Sequence, residues 1–95
     1  MDAESAKRIV VAAGTLGAEA VEFTVHALIE AMADDGVSVH DVFHALANAE
    51  ELQAQDDEGK KWKVYGPLVS GDQYAVVIIT LVNERVRVIT THYPP

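Results

Sequence analysis

"QYAVVIITLVNERVRVITTHY", residues 73–93, decides the fold. Its first half, Tyr74 to Val82, is apolar at nearly every position, as a strand buried on both faces must be. Asn83-Glu84 interrupts the run with a short reversal, although Glu is not the favoured second residue of a two-residue turn. "RVRVITTHY" then reads as a returning strand, and Pro94-Pro95 stop it. A two-residue turn places Val82 opposite Arg85, and an ungapped strand fixes the rest of the register. One face then carries Ala75, Val77, Ile79 and Leu81 with Val86, Val88, Thr90 and His92. The other carries Tyr74, Val76, Ile78, Thr80 and Val82 with Arg85, Arg87, Ile89, Thr91 and Tyr93. The first face is the better core and should receive the helices. The second is apolar with two arginines set into it, and such an open face is a candidate partner or ligand surface.

Upstream, "KWKVYG" alternates, with Trp62 and Val64 on one side, and Ser70-Gly71-Asp72 supplies a turn. Gly66-Pro67 and Gly71 are turn punctuation without the spacing of a phosphate loop. These segments make a three-stranded antiparallel meander. The Ala- and Glu-rich first half reads as helices. One runs from Asp2 to about Ala13 with Ile9, Val10 and Ala13 on a stripe, interrupted by Gly14 and Gly17. A second covers about Ala18 to Asp34, where Val25, Leu28, Ile29 and Met32 have the i, i+3, i+4, i+7 spacing of a buried face. Gly36 suits a left-handed cap. "SVHD" at Ser38 has the form of a capping box that opens a third helix, which repeats the spacing in Val39, Val42, Phe43 and Leu46 and ends near Asn48. The expected fold is α+β in a single domain, residues 1–95. Two to three N-terminal helices (about 2–48) pack on one face of a C-terminal three-stranded antiparallel meander (about 61–93).

A chain of 95 residues with 49% hydrophobic content can bury a core. It sits near the size at which pairing helps, so a homodimer is one expectation. Without cysteine, disulfides and thiolate metal sites are excluded. No segment approaches the roughly 20 apolar residues of a membrane span. The acidic start differs from a signal peptide, which points to a soluble, cytoplasmic protein. The net charge of −8, from 7 basic and 15 acidic residues, argues against broad electrostatic binding of nucleic acid. Glu50, Glu51, Asp56, Asp57 and Glu58 cluster ahead of Lys60, Lys61 and Lys63, a pattern that most simply makes a solvated loop.

Four histidines bear on chemistry. His40 and His44 share one side of the third helix and have the i, i+4 spacing of zinc ligands. A site would still need a third and fourth ligand, which His26 or Asp41 could contribute only if the fold brings them in, and the simpler reading is solvent-side polar residues. His26 is spaced to work as a general base with Glu30, although a histidine beside a core stripe is more often a satisfied boundary residue. His92 and Tyr93 end the last strand near Arg85 and Arg87. On an open sheet such a set can cleave RNA, with arginine holding the phosphorane charge and His or Tyr moving the proton. Single arginines on exposed strands are otherwise ordinary surface residues. Nothing in the sequence calls for a cofactor.

The order "FTVHAL", Met32, "GVSVHDVFHAL", "KVYGP" and "VRVITTHYPP" resembles a small bacterial family of unknown function. Its members carry H-A-L-E-R-M-x-E-R-G-I-S and finish near I-T-V-Y-E-P, and the likeness covers about Phe23 to Pro94. That family looks allied to BrnT-, MqsR- and RelE-like toxins of toxin–antitoxin systems. The resemblance implies a RelE/BrnT-like fold, mRNA cleavage on the open sheet face, and an antitoxin covering that face. The chain departs from the pattern at telling places. The family's arginines fall near Ala31 and on Asp35, its terminal tyrosine falls on His92, and the spacing from His26 to Gly36 is one residue longer. The candidate catalytic set is therefore His26, Arg85, Arg87, His92 and Tyr93. The expected function is a toxin-like domain with RNA-cleaving activity. The alternative is a catalytically silent relative that binds a protein partner or a second copy through the sheet. Acidic charge and the missing arginines favour the alternative.

Overall fold

The computed structural model describes residues 1–94 and has an α+β architecture. The elements run α1 (Ala3–Leu16), a 3₁₀ turn (Gly17–Glu19), β1 (Val21–Phe23), a π-helical turn (Ala27–Ala31), α2 (Met32–Asp35) and α3 (Val39–Ala47). Four strands follow: β2 (Glu51–Ala54), β3 (Lys61–Pro67), β4 (Tyr74–Val82) and β5 (Arg85–His92). The sheet is five-stranded and mixed, in the order β1-β5-β4-β3-β2. The meander β3-β4-β5 lies at its centre. The expectation of only three antiparallel strands is overturned by β2, which pairs antiparallel with β3, and by β1, which pairs parallel with β5.

Both added strands are short, and their sequences hide them. "VEF" of β1 sat inside what read as one long helix, and "ELQA" of β2 opened the acidic cluster. Three or four residues give no periodicity to weigh against their polar neighbours. Leu52 nevertheless buries on the core side of β2, and Val21 on the core side of β1. The rest of the acidic cluster is the β2–β3 connection, and it is ordered by Asp56. Its carboxylate accepts from the backbone N–H of Lys60 at 3.1 Å and Lys61 at 3.2 Å. Trp62 is buried beneath, with Nε1–H donating to the Gly59 carbonyl at 2.8 Å.

The second helix is correspondingly shorter than its apolar pattern suggests. Thr24 marks its start. The Thr24 hydroxyl accepts from Ala27 N–H at 3.1 Å and donates to the Ile89 carbonyl, also at 3.1 Å. Ala27 and Met32 reach the core, whereas Val25, Leu28 and Ile29 do not. Helix α1 begins where expected, with the Asp2 side chain accepting from Ser5 N–H at 2.8 Å. It runs on through Gly14 to Leu16. Gly14 is no break in it. A Cβ there would strike the backbone of Ala47 and Leu46, so glycine lets α1 and α3 cross closely. Gly66 does the same inside β3, where a Cβ would collide with the Ala45 carbonyl of α3. It is an interior strand position, not turn punctuation. The Ser38–Asp41 capping box is present, and Asp41 also accepts from Val69 N–H at 3.1 Å, tying α3 to the β3–β4 loop.

Asn83 and Glu84 both take positive φ, 52° and 62°, so the two-residue turn forms and Val82 faces Arg85. Beyond it the strand is not ungapped. The register shifts at Ile78/Ile79, which pair with Thr90 and Val88, leaving Ile89 as an extra, bulged residue. The bulge reverses every side chain after it. Thr91 turns to the core and is buried with no hydrogen-bond partner for its hydroxyl. Thr90 and His92 move to the open face, opposite Ile78 and Val76. Among the described residues no helix is long and apolar enough to cross a membrane.

Candidate functional site on the open sheet face

The helices cover the face that carries Val64, Val77, Ile79, Val86 and Val88, all fully buried. Strand alternation puts Glu22, Arg85, Arg87, Lys61, Lys63 and His92 on the other face. Glu22 is the residue the sequence reading missed. Its strand lies beside β5 with Glu22 opposite Arg87, and its carboxylate takes both arginines. Arg85 Nη2 donates to Oε1 at 2.9 Å, and Arg87 donates to Oε2 from Nη2 at 3.2 Å and from Nε at 3.3 Å. These hydrogen bonds, first from Arg85 and then from Arg87, hold the Glu22 carboxyl below its ordinary pKa. The alternation V-E-F, flanked by Gly17 and Thr24, was the only signal for it in the sequence.

A shallow depression lies over this cluster, lined by Glu22, Thr80, Val82, Asn83, Arg85 and Arg87. A phosphate in it would meet two arginines already engaged by a carboxylate. A developing negative charge needs unpaired donors, so the pair is poorly placed to stabilise one. Farther along the face, Tyr65 and Tyr74 stack at 4.9 Å between ring centroids with 10° between planes. Lys61 and Lys63 stand on β3 without a carboxylate partner among the described residues, in contrast to Lys60, which pairs with Glu58 at 2.9 Å.

The other candidate residues do not converge here. His92 reaches the open face, paired with Val76, five positions along β5 from Arg87. Tyr93 is turned away by the bulge, and its hydroxyl donates to the Asp35 carbonyl at 2.7 Å, pinning the end of α2. His26 belongs to the helical layer and is exposed, with Nδ1 at 2.6 Å from Glu30 Oε2. The His26–Glu30 pair thus forms as the spacing suggested, in the helical layer and without an ion pair to either arginine. His44 is half-buried, not on the solvent side, and its Nδ1–H donates to the Pro67 carbonyl at 3.0 Å. His40 stays exposed, edge-on to Phe43 at 6.3 Å. Among the described residues no group of three His, Asp or Glu side chains comes together as a metal site would require. No family model, curated protein or solved structure matches the chain.

Proposed function

We propose that the chain is a catalytically silent polypeptide-binding module, a toxin-like relative that engages a partner through its open sheet face. The observation that carries this reading is the Glu22 clamp on Arg85 and Arg87. RNA cleavage needs cationic groups free to follow charge on phosphorus and a proton carrier beside them. Here the two arginines are already matched, and His26, His92 and Tyr93 lie in three separate places. Binding asks less of the same face. It presents Ile78, Val82 and Ile89 among polar groups, with Lys61 and Lys63 unmatched. Four of the chain's seven basic residues stand on it against three of its fifteen acidic ones, Glu22, Glu51 and Glu50, the last with its carboxylate against Tyr74. That balance suits a partner segment carrying Asp or Glu.

The test has two arms. In the first, the chain is expressed under induction and growth and RNA integrity are followed, with Glu22→Gln as a variant that frees the arginines. Unimpaired growth and intact RNA are expected for the wild type. Toxicity with cleaved RNA, abolished by Arg87→Ala or His92→Ala, would overturn the reading in favour of a nuclease. In the second arm a glutamate-rich peptide and a single-stranded RNA of equal charge are titrated. Peptide binding should weaken at least about tenfold in Lys61→Glu/Lys63→Glu. Tighter binding of the RNA would also sink the proposal.

A further inference from the structure

Val25, Leu28 and Ile29 carry the spacing of a buried helix face, yet they stand 73%, 43% and 68% exposed. The π-helical turn is the cause. Met32 N–H bonds to the Ala27 carbonyl, five residues back instead of four. A turn wound this way holds one extra residue. It brings Ala27 and Met32 to the same inner side, and the aliphatic residues between and before them swing outward. Thr24 fixes the start of the helix through the Ile89 bulge, so the stripe cannot rotate inward without breaking both bonds.

Side chains at i, i+3 and i+4 form a ridge of the kind that packs against another helix. This one has no partner in the fold. The helical segment that carries it, residues 25–35, holds three acids and no lysine or arginine. No lysine or arginine occurs between Arg8 and Lys60, a span that holds eleven of the fifteen acidic residues. Glu30 and Asp34 lie exposed on the same short helical segment, Glu30 with one oxygen on His26 and Asp34 with no ion pair among the described residues. We infer that the Val25–Leu28–Ile29 ridge is a docking surface for an amphipathic helix of another protein, with aliphatic residues on one stripe and lysine or arginine beside it. A second copy fits worse, because two-fold packing of this ridge would set Glu30 and Asp34 against their own equivalents. The ridge is separate from the open sheet face, so its failure and the failure of the proposal above are independent.

The probe is a synthetic helical peptide with leucine at i, i+3, i+4 and i+7 and lysine on both flanks, beside a glutamate-flanked version. Each is titrated into the ¹⁵N-labelled full chain. The lysine peptide should shift amides of residues 25–34. Leu28→Ser/Ile29→Ser should weaken it at least about tenfold without moving the melting temperature. Ile29→Lys alone should act the same way. Equal binding by the glutamate peptide, unchanged affinity in the serine variant, shifts confined to the sheet, or no binding would each overturn the inference. So would light scattering that finds a dimer dissolved by Ile29→Ser, since the occupant would then be a second copy.

Discussion

At the scale of single residues, two side chains report how the fold is held. Thr91 owes its buried position to the bulge at Ile89, and its hydroxyl has no partner. Valine has the same shape without the unpaired oxygen. We expect Thr91→Val to stabilise the chain by about 1 kcal/mol, read as a melting temperature several degrees higher. A lower melting temperature would mean that the hydroxyl is satisfied, for instance by water. Asp41 acts in the opposite sense. Burial pushes its carboxyl pKa up, but the N–H groups of Ser38 and Val69 and the Ser38 hydroxyl outweigh burial and leave it lowered. A lowered native pKa gives stability that is complete above the unfolded value, about 3.9, and lost as pH falls through the native one. Asp41→Asn keeps one acceptor oxygen and puts an NH₂ where the other was. It should cost about 1–2 kcal/mol in urea unfolding at pH 7, and the difference from wild type should shrink as pH falls below about 4. A constant difference across pH would show that the charge plays no part.

At the scale of elements, the close approaches decide more than the apolar patterns do. Gly66 sits where β3 passes under α3, and the obstacle to a Cβ is the Ala45 backbone carbonyl, not a side chain. We expect Gly66→Ala to destabilise by about 3 kcal/mol in urea denaturation, and Ala45→Gly not to rescue it. A rescue would place the crowding in the Ala45 side chain instead. Such features explain what the sequence could and could not convey. Runs of nine or more residues with one periodicity, such as β4 and α3, were legible because each position repeats the message. So was the Ser38–Asp41 cap, since its chemistry is local. β1 and β2 were not, because each is too short to state a period and exists through its neighbour's hydrogen bonds. The bulge at Ile89 was silent for a related reason. "VRVITTHY" alternates acceptably in either register, and Thr24, the residue that holds the bulge, is 65 positions away. One unseen residue therefore exchanged the faces of His92 and Tyr93. Glu22 was missed for the other reason, since only the pairing of the unread β1 with β5 brings it to the arginines.

At the scale of the whole molecule, charge is sorted by layer. The open sheet face gathers Lys61, Lys63, Arg85 and Arg87, while the helical segments after α1 carry Glu19, Glu30, Asp34, Asp35 and Asp41 without a lysine or arginine. Two effects of salt then oppose each other. Screening weakens the Glu22 pairs with Arg85 and Arg87, but these are exposed, and exposed pairs contribute little to stability. Screening also relieves repulsion among the acidic residues of a chain with net charge −8. Of the eleven acids between Arg8 and Lys60, only Glu22 and Glu58 are paired with an arginine or lysine among the described residues, so the repulsion among the other nine is the larger quantity. At about 0.5 M salt the screening length falls to roughly 4 Å, shorter than most distances between surface charges. We therefore expect sodium chloride to raise the melting temperature from its value in dilute buffer at pH 7, measured by circular dichroism. Neutralising two helical-layer acids, in Glu30→Gln/Asp34→Asn, should raise it in dilute buffer and reduce the further gain from salt. A melting temperature that falls with salt would mean that the arginine clamp outweighs the acidic layer. The sheet face would then be the principal electrostatic support of the fold.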